Sequence, residues 1–361
     1  MKVIYFTKYS RLGASSRLRS YQFEQKYHLN AIDVTYYPFF DDAYLEKLYQ
    51  KKSNAFFKIL YLYVRRFFQL VMVFKYDKVI IEKELFPYFP AFFEQLLSVL
   101  KIRYIVDYDD AIFHNYDCHS NTVVKKFLGN KIAKVMRYSG VVIVGNQYLK
   151  NYAQQAGAQQ IIILPTVIDL NRYIIQPKNT SDTGRKIVIG WIGSPTTFKY
   201  FKVLENCIRI LNQKHAIEWH IVGAEWADKP NDLDEIISKK WSEKSEIDFL
   251  NQMDIGIMPL LNTPWEQGKC AYKIIQYMAL GIPVVASPVG KNCEVILHQK
   301  NGYLANDMNE WQFYLEQLIT QKELRLTMGA NGRKEVEKQY TIDHNFNILL
   351  DILKVNQYGN P

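Results

Sequence analysis

The stretch WEQGKCAYKIIQYMALGIPVVASPVG, Trp265 to Gly290, decides how this 361-residue chain is read. It opens with charge and glycine, takes on the apolar spacing of a helix, breaks at Gly281-Ile282-Pro283 and closes as an unbroken apolar run. A helix that leads into a short Val-rich strand is half of a strand-helix-strand unit. Two lysines, Lys269 and Lys273, stand where that helix begins. Helix starts carry partial positive charge, so acidic residues normally sit there. Cations in that place make sense if an anion arrives from outside.

Working outward, the same alternation fills the chain. Apolar runs at 2–6, 77–82, 103–109, 141–146 and 161–166 read as strands, as do 186–193, 218–223, 255–260 and 282–287. Segments such as 91–100 and 123–138 between them are long enough for helices. Continuous Val/Ile runs, without strict alternation, indicate strands covered on both faces, as in a parallel sheet. The class is therefore α/β, with doubly wound sheets. The polar stretch QPKNTSDTGR, 176–185, reads as a linker near the middle of the chain. It separates an N-terminal domain (1–176) from a C-terminal domain (186–340), with a tail over 341–361. A chain this long normally exceeds one hydrophobic core.

Charge is spread unevenly over the total of +9: residues 1–184 hold 25 Lys+Arg against 15 Asp+Glu, and residues 185–361 hold 20 against 21. The first half also has 15 of the 20 phenylalanines, so it suits a partner that is anionic and partly greasy. Nucleic acid is set aside, because no RNP-like, helix-turn-helix or zinc-finger pattern accompanies the basic half. An anionic membrane surface fits better. The stretch from Ala55 to Phe74, AFFKILYLYVRRFFQLVMVF, resembles a membrane span until Arg65 and Arg66. Lys58, Arg65, Arg66 and Gln69 share one helical face. Either this is an interfacial helix or it is a mostly buried helix with one wet stripe. The four cysteines lie far apart without CxxC and suit a reducing cytosol. The expected location is cytoplasmic, peripheral at the inner face of the membrane.

Several stretches, in order, resemble the retaining glycosyltransferases of the GT-B fold, family 4 type. They are KELFPYFP (83–90), VDYDDAIFHNYD (106–117), VIVGNQYL (142–149), IGWIGSPTTFKYF (189–201), DIGIMPL (254–260), the Trp265–Gly290 stretch and NGYLA (301–305). The resemblance implies two Rossmann-like domains facing a central cleft. It also implies transfer of a sugar from a nucleoside-diphosphate sugar to a saccharide or lipid-linked acceptor, as in bacterial surface glycan synthesis. The nucleotide sugar is a co-substrate, and no metal or other cofactor is implied. The donor is expected mainly on the C-terminal domain and the acceptor on the N-terminal one.

The resemblance also assigns residues. The family's E-x7-E pattern falls on Gly268 and Gln276, so both glutamates are absent at strict spacing. Gln276 keeps a carbonyl acceptor for ribose hydroxyls, and Glu266 stands two residues before the first position. The family's Arg and Lys after the first C-terminal strand fall on Ser194 and Lys199. One cation is thus lost there, and Lys269 and Lys273 restore it, sharing the diphosphate with Lys199. Gly193 and Ser194 form a turn near the donor, the backbone at Cys270, Ala271 and Tyr272 faces it, and Trp241 stacks on the base or packs in the core. In the first domain Gly13 and Arg17 line the loop after the first strand, with Arg17 preferred over Arg19. Asp109, Asp110 and His114 line the acceptor side. Asp109 or the leaving phosphate takes the acceptor proton, and His114, Lys199 and Lys273 complete the catalytic set.

Two rivals remain. Asp107-x-Asp109 satisfies the DxD pattern of metal-dependent transferases, and HNYDCH resembles a ligand cluster without a second half. A nucleotide-sugar epimerase or hydrolase on the same fold, or a non-catalytic nucleotide-sugar binder, is the alternative function.

Overall fold

A computed structural model describes residues 1–50, 56–177 and 185–354. Ala55 and most of the expected linker (178–184) lie outside them, as does the end of the tail. Six strands form the first sheet: β1 (Lys2–Tyr9), β2 (Asp33–Phe40), β3 (Lys78–Glu82), β4 (Tyr104–Tyr108), β5 (Val141–Val144) and β6 (Ile161–Ile163). Their order is β2-β1-β3-β4-β5-β6, with every pairing parallel. A second parallel six-stranded sheet contains β7 (Ile187–Ile192), β8 (Ile217–Val222), β9 (Ile236–Lys239), β10 (Ile255–Met258), β11 (Val284–Ala286) and β12 (Gly302–Leu304). Its order is β12-β11-β10-β7-β8-β9. Both orders reverse direction once, beside β1 in the first sheet and between β7 and β10 in the second. Such a switch point opens a crevice beyond the strands' carboxyl ends.

Three strands escape the sequence reading. β2 carries Pro38 and six partly or fully exposed positions, so it lacks a continuous apolar run. Proline is tolerated because β2 is an edge strand. β9 and β12 are short and border polar turns. The expected helix over 123–138 is two helices, Thr122–Leu128 and Lys131–Tyr138, separated at Gly129-Asn130.

The chain divides into two compact units. The first holds Met1–Thr166, Gln267–Cys270 and the chain from Ile342 onward; the second holds Val167–Glu266 and Ala271–Thr341. The division falls before the polar stretch, since Val167, Ile168 and Tyr173 are buried in the second unit. The last helix, Ile342–Lys354, belongs to the first unit, where Phe346 stacks on Phe23 at 6.1 Å. In the second unit, alternate residues of β7 feed opposite faces of the sheet: Ile189 and Trp191 on one, Val188 and Ile192 on the other. Gly281, at φ +67, ends the helix Tyr272–Ala279 and admits Gly329 of the helix Lys322–Gln339. A Cβ on Gly329 would lie 1.9 Å from the Gly281 carbonyl oxygen.

The helix Phe56–Leu70 settles the open reading of its segment against a buried helix with a wet stripe. Its polar stripe faces inward. Arg66 is 1% exposed, lies 4.8 Å from the Phe6 ring and 5.3 Å from the Phe39 ring, and donates to the Thr7 carbonyl at 3.0 Å. Arg65 donates to the Pro38 and Phe39 carbonyls, both at 2.8 Å, and Lys58 reaches Asp41 at 3.1 Å. The apolar stripe faces out, with Phe57 80% and Phe68 67% exposed. Among the described residues, no helix is long and apolar enough to cross a membrane.

Candidate functional site

In the second unit, β7 ends at Gly193-Ser194, beside the switch point. A Cβ on Gly193 would fall 2.5 Å from the Trp191 ring and 2.6 Å from Lys273 Nζ. Only glycine leaves room there for the ammonium to reach the strand end. Lys273 Nζ sits 4.3 Å from the Trp191 ring centroid, where the aromatic face favours a cation. Lys273 is the second residue of the helix Tyr272–Ala279. That helix starts from Ala271 at φ 54, ψ 25, a left-handed conformation that costs a residue with a Cβ of the order of 1 kcal/mol or more. No side chain caps it and no acidic residue occupies its first turn. A helix start leaves its first N–H groups without intrahelical acceptors, so this one suits an anion.

Around this start the second unit gathers further expected residues. Ser194 turns into a hydroxyl cluster, 2.8 Å from the Thr196 hydroxyl, and its N–H donates to Thr197 Oγ1 at 3.2 Å. Lys199 opens the short helix Lys199–Lys202; it is exposed, with Nζ 5.0 Å from the Tyr200 ring. Glu266, 3% exposed, accepts from the hydroxyls of Tyr200 and Thr263. Gln276 is buried and donates from Nε2 to Tyr173 Oη and Glu246 Oε1, both at 2.9 Å. Trp241 donates Nε1–H to Glu246 Oε2 at 2.6 Å and packs against the core, with Tyr272 Oη 3.2 Å from Tyr173 Oη. Glu246 thus places a buried carboxylate next to the amide at position 276. It lies thirty positions upstream, on another helix, so no local spacing joins it to Gln276.

Lys269 and Cys270 are placed in the first unit, unlike Ala271 and Lys273. Lys269 Nζ lies 4.0 Å from Asp110, so part of its charge is already balanced. Cys270 donates its thiol to the Asp109 carbonyl at 3.0 Å, and burial pushes that thiol up to about 12, which makes it a packing group and no nucleophile. Asn146 anchors the segment, donating Nδ2 to the carbonyls of Gln267 at 3.3 Å and Lys269 at 3.0 Å.

The carboxyl end of the first sheet is crowded with charge. Glu82 and Asp107 are register partners at the ends of β3 and β4. Lys83, at φ 68, folds back so that Nζ lies 2.8 Å from Asp109, 2.8 Å from Ser15 Oγ and 3.7 Å from Asp110. Ser15 donates to Asp109 Oδ2 at 2.6 Å, and Ser16 to Glu82 Oε2 at 2.6 Å. Burial works to raise the Asp109 carboxyl, but the Lys83 ammonium outweighs it and holds the group at about 2. Lys83 is raised in turn: burial opposes its charge, and Asp109, Asp110 and Glu82 prevail. Asp110 is raised by burial and by Asp109, against the pull of Lys269. Lys83, Ser15 and Ser16 were missed. The signal was present, since Lys83 follows β3 as the aspartates follow β4.

Arg17 Nη1 donates to the carbonyls of Arg11 and Leu12, both at 3.3 Å. Arg19 is the arginine that reaches the sheet end. It grips Asp107 through Nε at 2.9 Å and Nη2 at 2.5 Å and donates to the Leu164 carbonyl at 2.8 Å. Gly13 has an ordinary φ of −71 and is required because a Cβ would fall 2.4 Å from Tyr9 Cβ. The DxD reading meets carboxylates already committed, Asp107 to Arg19 and Asp109 to Lys83 and Ser15. His114 has both ring nitrogens engaged, Nδ1 with Asp117 and Nε2 with Tyr148 Oη, each at 2.8 Å. With Cys118 it forms a trio whose ligand atoms lie within 4.8 Å of one another, on a single helical turn.

Residues 186–321 match the family model for glycosyl transferases group 1. Spore coat protein SA of Bacillus subtilis is 24% identical over 190 residues, covering 48% of this chain and 50% of its own. The chain therefore spans about half the length of this curated relative. Among solved structures, sucrose-phosphate synthase from Thermosynechococcus elongatus aligns at TM-score 0.70 with 12% identity, covering 98% of both chains. A glycosyltransferase from Rickettsia africae gives 0.70 and 12%, covering 99% of each. Anabaena Alr3699/HepE in complex with UDP-glucose gives 0.68 and 15%, covering 98% of this chain and 99% of that one. At these identities the structural likeness establishes the GT-B fold alone. The family match covers the part of the second unit that carries Gly193, Lys273 and Gln276, and the chain as a whole has the GT-B fold.

Proposed function

We propose that the chain is a retaining glycosyltransferase that moves a sugar from a nucleoside-diphosphate sugar to a hydroxyl of a saccharide, free or lipid-linked, in surface glycan synthesis. The observation that carries this reading is the uncapped, acid-free start of the helix Tyr272–Ala279 with Lys273 Nζ held over Trp191 at the switch point. A diphosphate set against that start gains the helix field and an ammonium together. Gln276 and Glu246 hold the ribose hydroxyls, Glu266 faces the donor sugar, and Lys199 gives its charge from the exposed side. UDP is the first nucleotide to try, because Alr3699/HepE was solved with UDP-glucose.

In the reaction the bond from the anomeric carbon to the β-phosphate oxygen breaks, and its electron pair stays on the phosphate. The acceptor oxygen bonds to the anomeric carbon on the same face. Its proton passes to the departing phosphate oxygen. Asp109, held at about 2, is a weak base near neutral pH and serves to fix Lys83. Asp110, whose pKa is raised, is the acceptor-side carboxylate suited to orient the hydroxyl. Charge on the leaving diphosphate is balanced by fixed cations, so turnover should persist in EDTA.

Calorimetric titration with UDP and a panel of nucleotide sugars, followed by product analysis with labelled donor, tests the reading. Transfer to a saccharide supports it. Release of free sugar, an epimerised nucleotide sugar, or binding without turnover would each favour the alternative reading.

A further inference from the structure

Glu246 is 6% exposed and opens the helix Glu246–Asn251, and both of its oxygens are engaged within the second unit. Oε1 accepts from Gln276 Nε2 at 2.9 Å and from the Tyr173 hydroxyl at 3.4 Å. Oε2 accepts from Trp241 Nε1 at 2.6 Å. A carboxylate only accepts, so it decides which end of a neighbouring amide turns toward it. The Gln276 amide presents Nε2 to Glu246, and its second N–H goes to Tyr173 Oη at 2.9 Å. Both amide hydrogens are then used, and the carbonyl oxygen Oε1 is what remains. No donor among the described residues meets that oxygen, and it is not one of their fully buried unpaired atoms. A side chain only 2% exposed thus offers an acceptor, and no donor, to whatever approaches it.

The opposite amide orientation would set Oε1 against the Glu246 carboxylate, two acceptors facing each other where an unmade hydrogen bond is costly. Gln276 follows Lys273 by three positions on the helix Tyr272–Ala279, so the two share a face. An acceptor one turn inside the helix from an ammonium suits a hydroxyl of the nucleoside that the diphosphate carries. With the helix start read as a nucleotide site, as under the proposed function, we infer that Glu246 is a positioning residue. It locks the Gln276 amide with its carbonyl outward, so that the amide meets the ribose as an acceptor only. Glu246 acts on the ligand through Gln276, and the same carboxylate fixes the indole of Trp241.

The test is calorimetric titration of the full chain with UDP, GDP and ADP, each beside its dideoxyribose form. Wild type, Glu246→Gln and the exchange Glu246→Gln/Gln276→Glu are compared, with urea melts of all three. An amide at position 246 has one oxygen for two donors, the Trp241 indole and the Gln276 amide, so the latter is free to flip. In the exchange, the amide at 246 accepts from Trp241 and donates to the carboxylate at 276, which again presents an acceptor to the ligand. Wild type should prefer the ribose form about tenfold or more, Glu246→Gln about threefold or less, and the exchange should regain the preference. Equal preference in wild type and Glu246→Gln, with or without a change in the melts, is what a purely structural carboxylate would give and overturns the inference. An exchange no better than the single variant overturns it as well. Wild type that binds a nucleotide without preferring its ribose form strikes this inference alone. Wild type that binds none of the three strikes the proposed function and takes the positioning role with it.

Discussion

The carboxyl ends of the two sheets differ more than their shared architecture suggests. At the end of β3 and β4, charge is closed on itself: Arg19 with Asp107, Lys83 with Asp109 and Asp110, and Ser15 and Ser16 filling the remaining acceptors. At the end of β7, a glycine, a lysine over an indole and a helix without cap or acid accumulate positive character. One end satisfies its charges internally. The other leaves a helix start that no side chain caps. A doubly wound sheet supplies the crevice in either case, and the side chains at the strand ends decide whether it is filled by the protein or by a ligand.

That contrast can be broken first at the closed end. Arg19→Ala leaves Asp107 buried without its partner, and urea melts should show a loss of about 3–5 kcal/mol. A loss below ~1 kcal/mol would mean that the pair is not held as tightly as its geometry indicates. At the open end, Lys273→Ala should leave the melt nearly unchanged while turnover of a nucleotide sugar falls about a hundredfold or more. Equal kinetics in the two proteins would remove Lys273 from the site.

Acid titration sharpens the comparison. Asp109 has a folded pKa near 2 against an ordinary 3.8, so it adds stability above the ordinary value and loses it as pH falls through the folded one. The linkage amounts to about 2 kcal/mol at neutral pH. Melts of wild type and Asp109→Asn across that acid range should converge, and parallel curves would refute the Lys83–Asp109 assignment. The smallest effect belongs to Ala271→Gly. Relief of the left-handed conformation should stabilise the second unit by up to about 1 kcal/mol, partly offset by glycine's greater freedom when unfolded. A measurable loss would show that the Ala271 methyl is needed in the core beside Ile274 and Ile275.

Much of this was legible in the chain. The apolar runs located nine of the strands, and Gly281-x-Pro283 marked the turn from helix to strand. The lysine at 273 was read at a helix start, and the structure puts it in the first turn of the helix Tyr272–Ala279. The unread parts share one cause: they depend on contacts between residues distant in sequence. β2 is a strand because β1 offers it an edge, despite Pro38. Arg19 outranks Arg17 because Asp107, far along the chain, lies within its reach. Glu246 joins Gln276 only once two helices are packed.

The sequence by itself determined the class of fold, the order of its elements and the half that carries excess positive charge, since periodicity and composition are local properties of the chain. Only the tertiary structure decided which way the Phe56–Leu70 helix faces. Its pattern fits either orientation, and the inward turn is set by carbonyls of β1 and β2 that receive the arginines. It also decided which carboxylates are committed and which cation lies over Trp191 at the helix start, because pairing depends on distances that no spacing along the chain records.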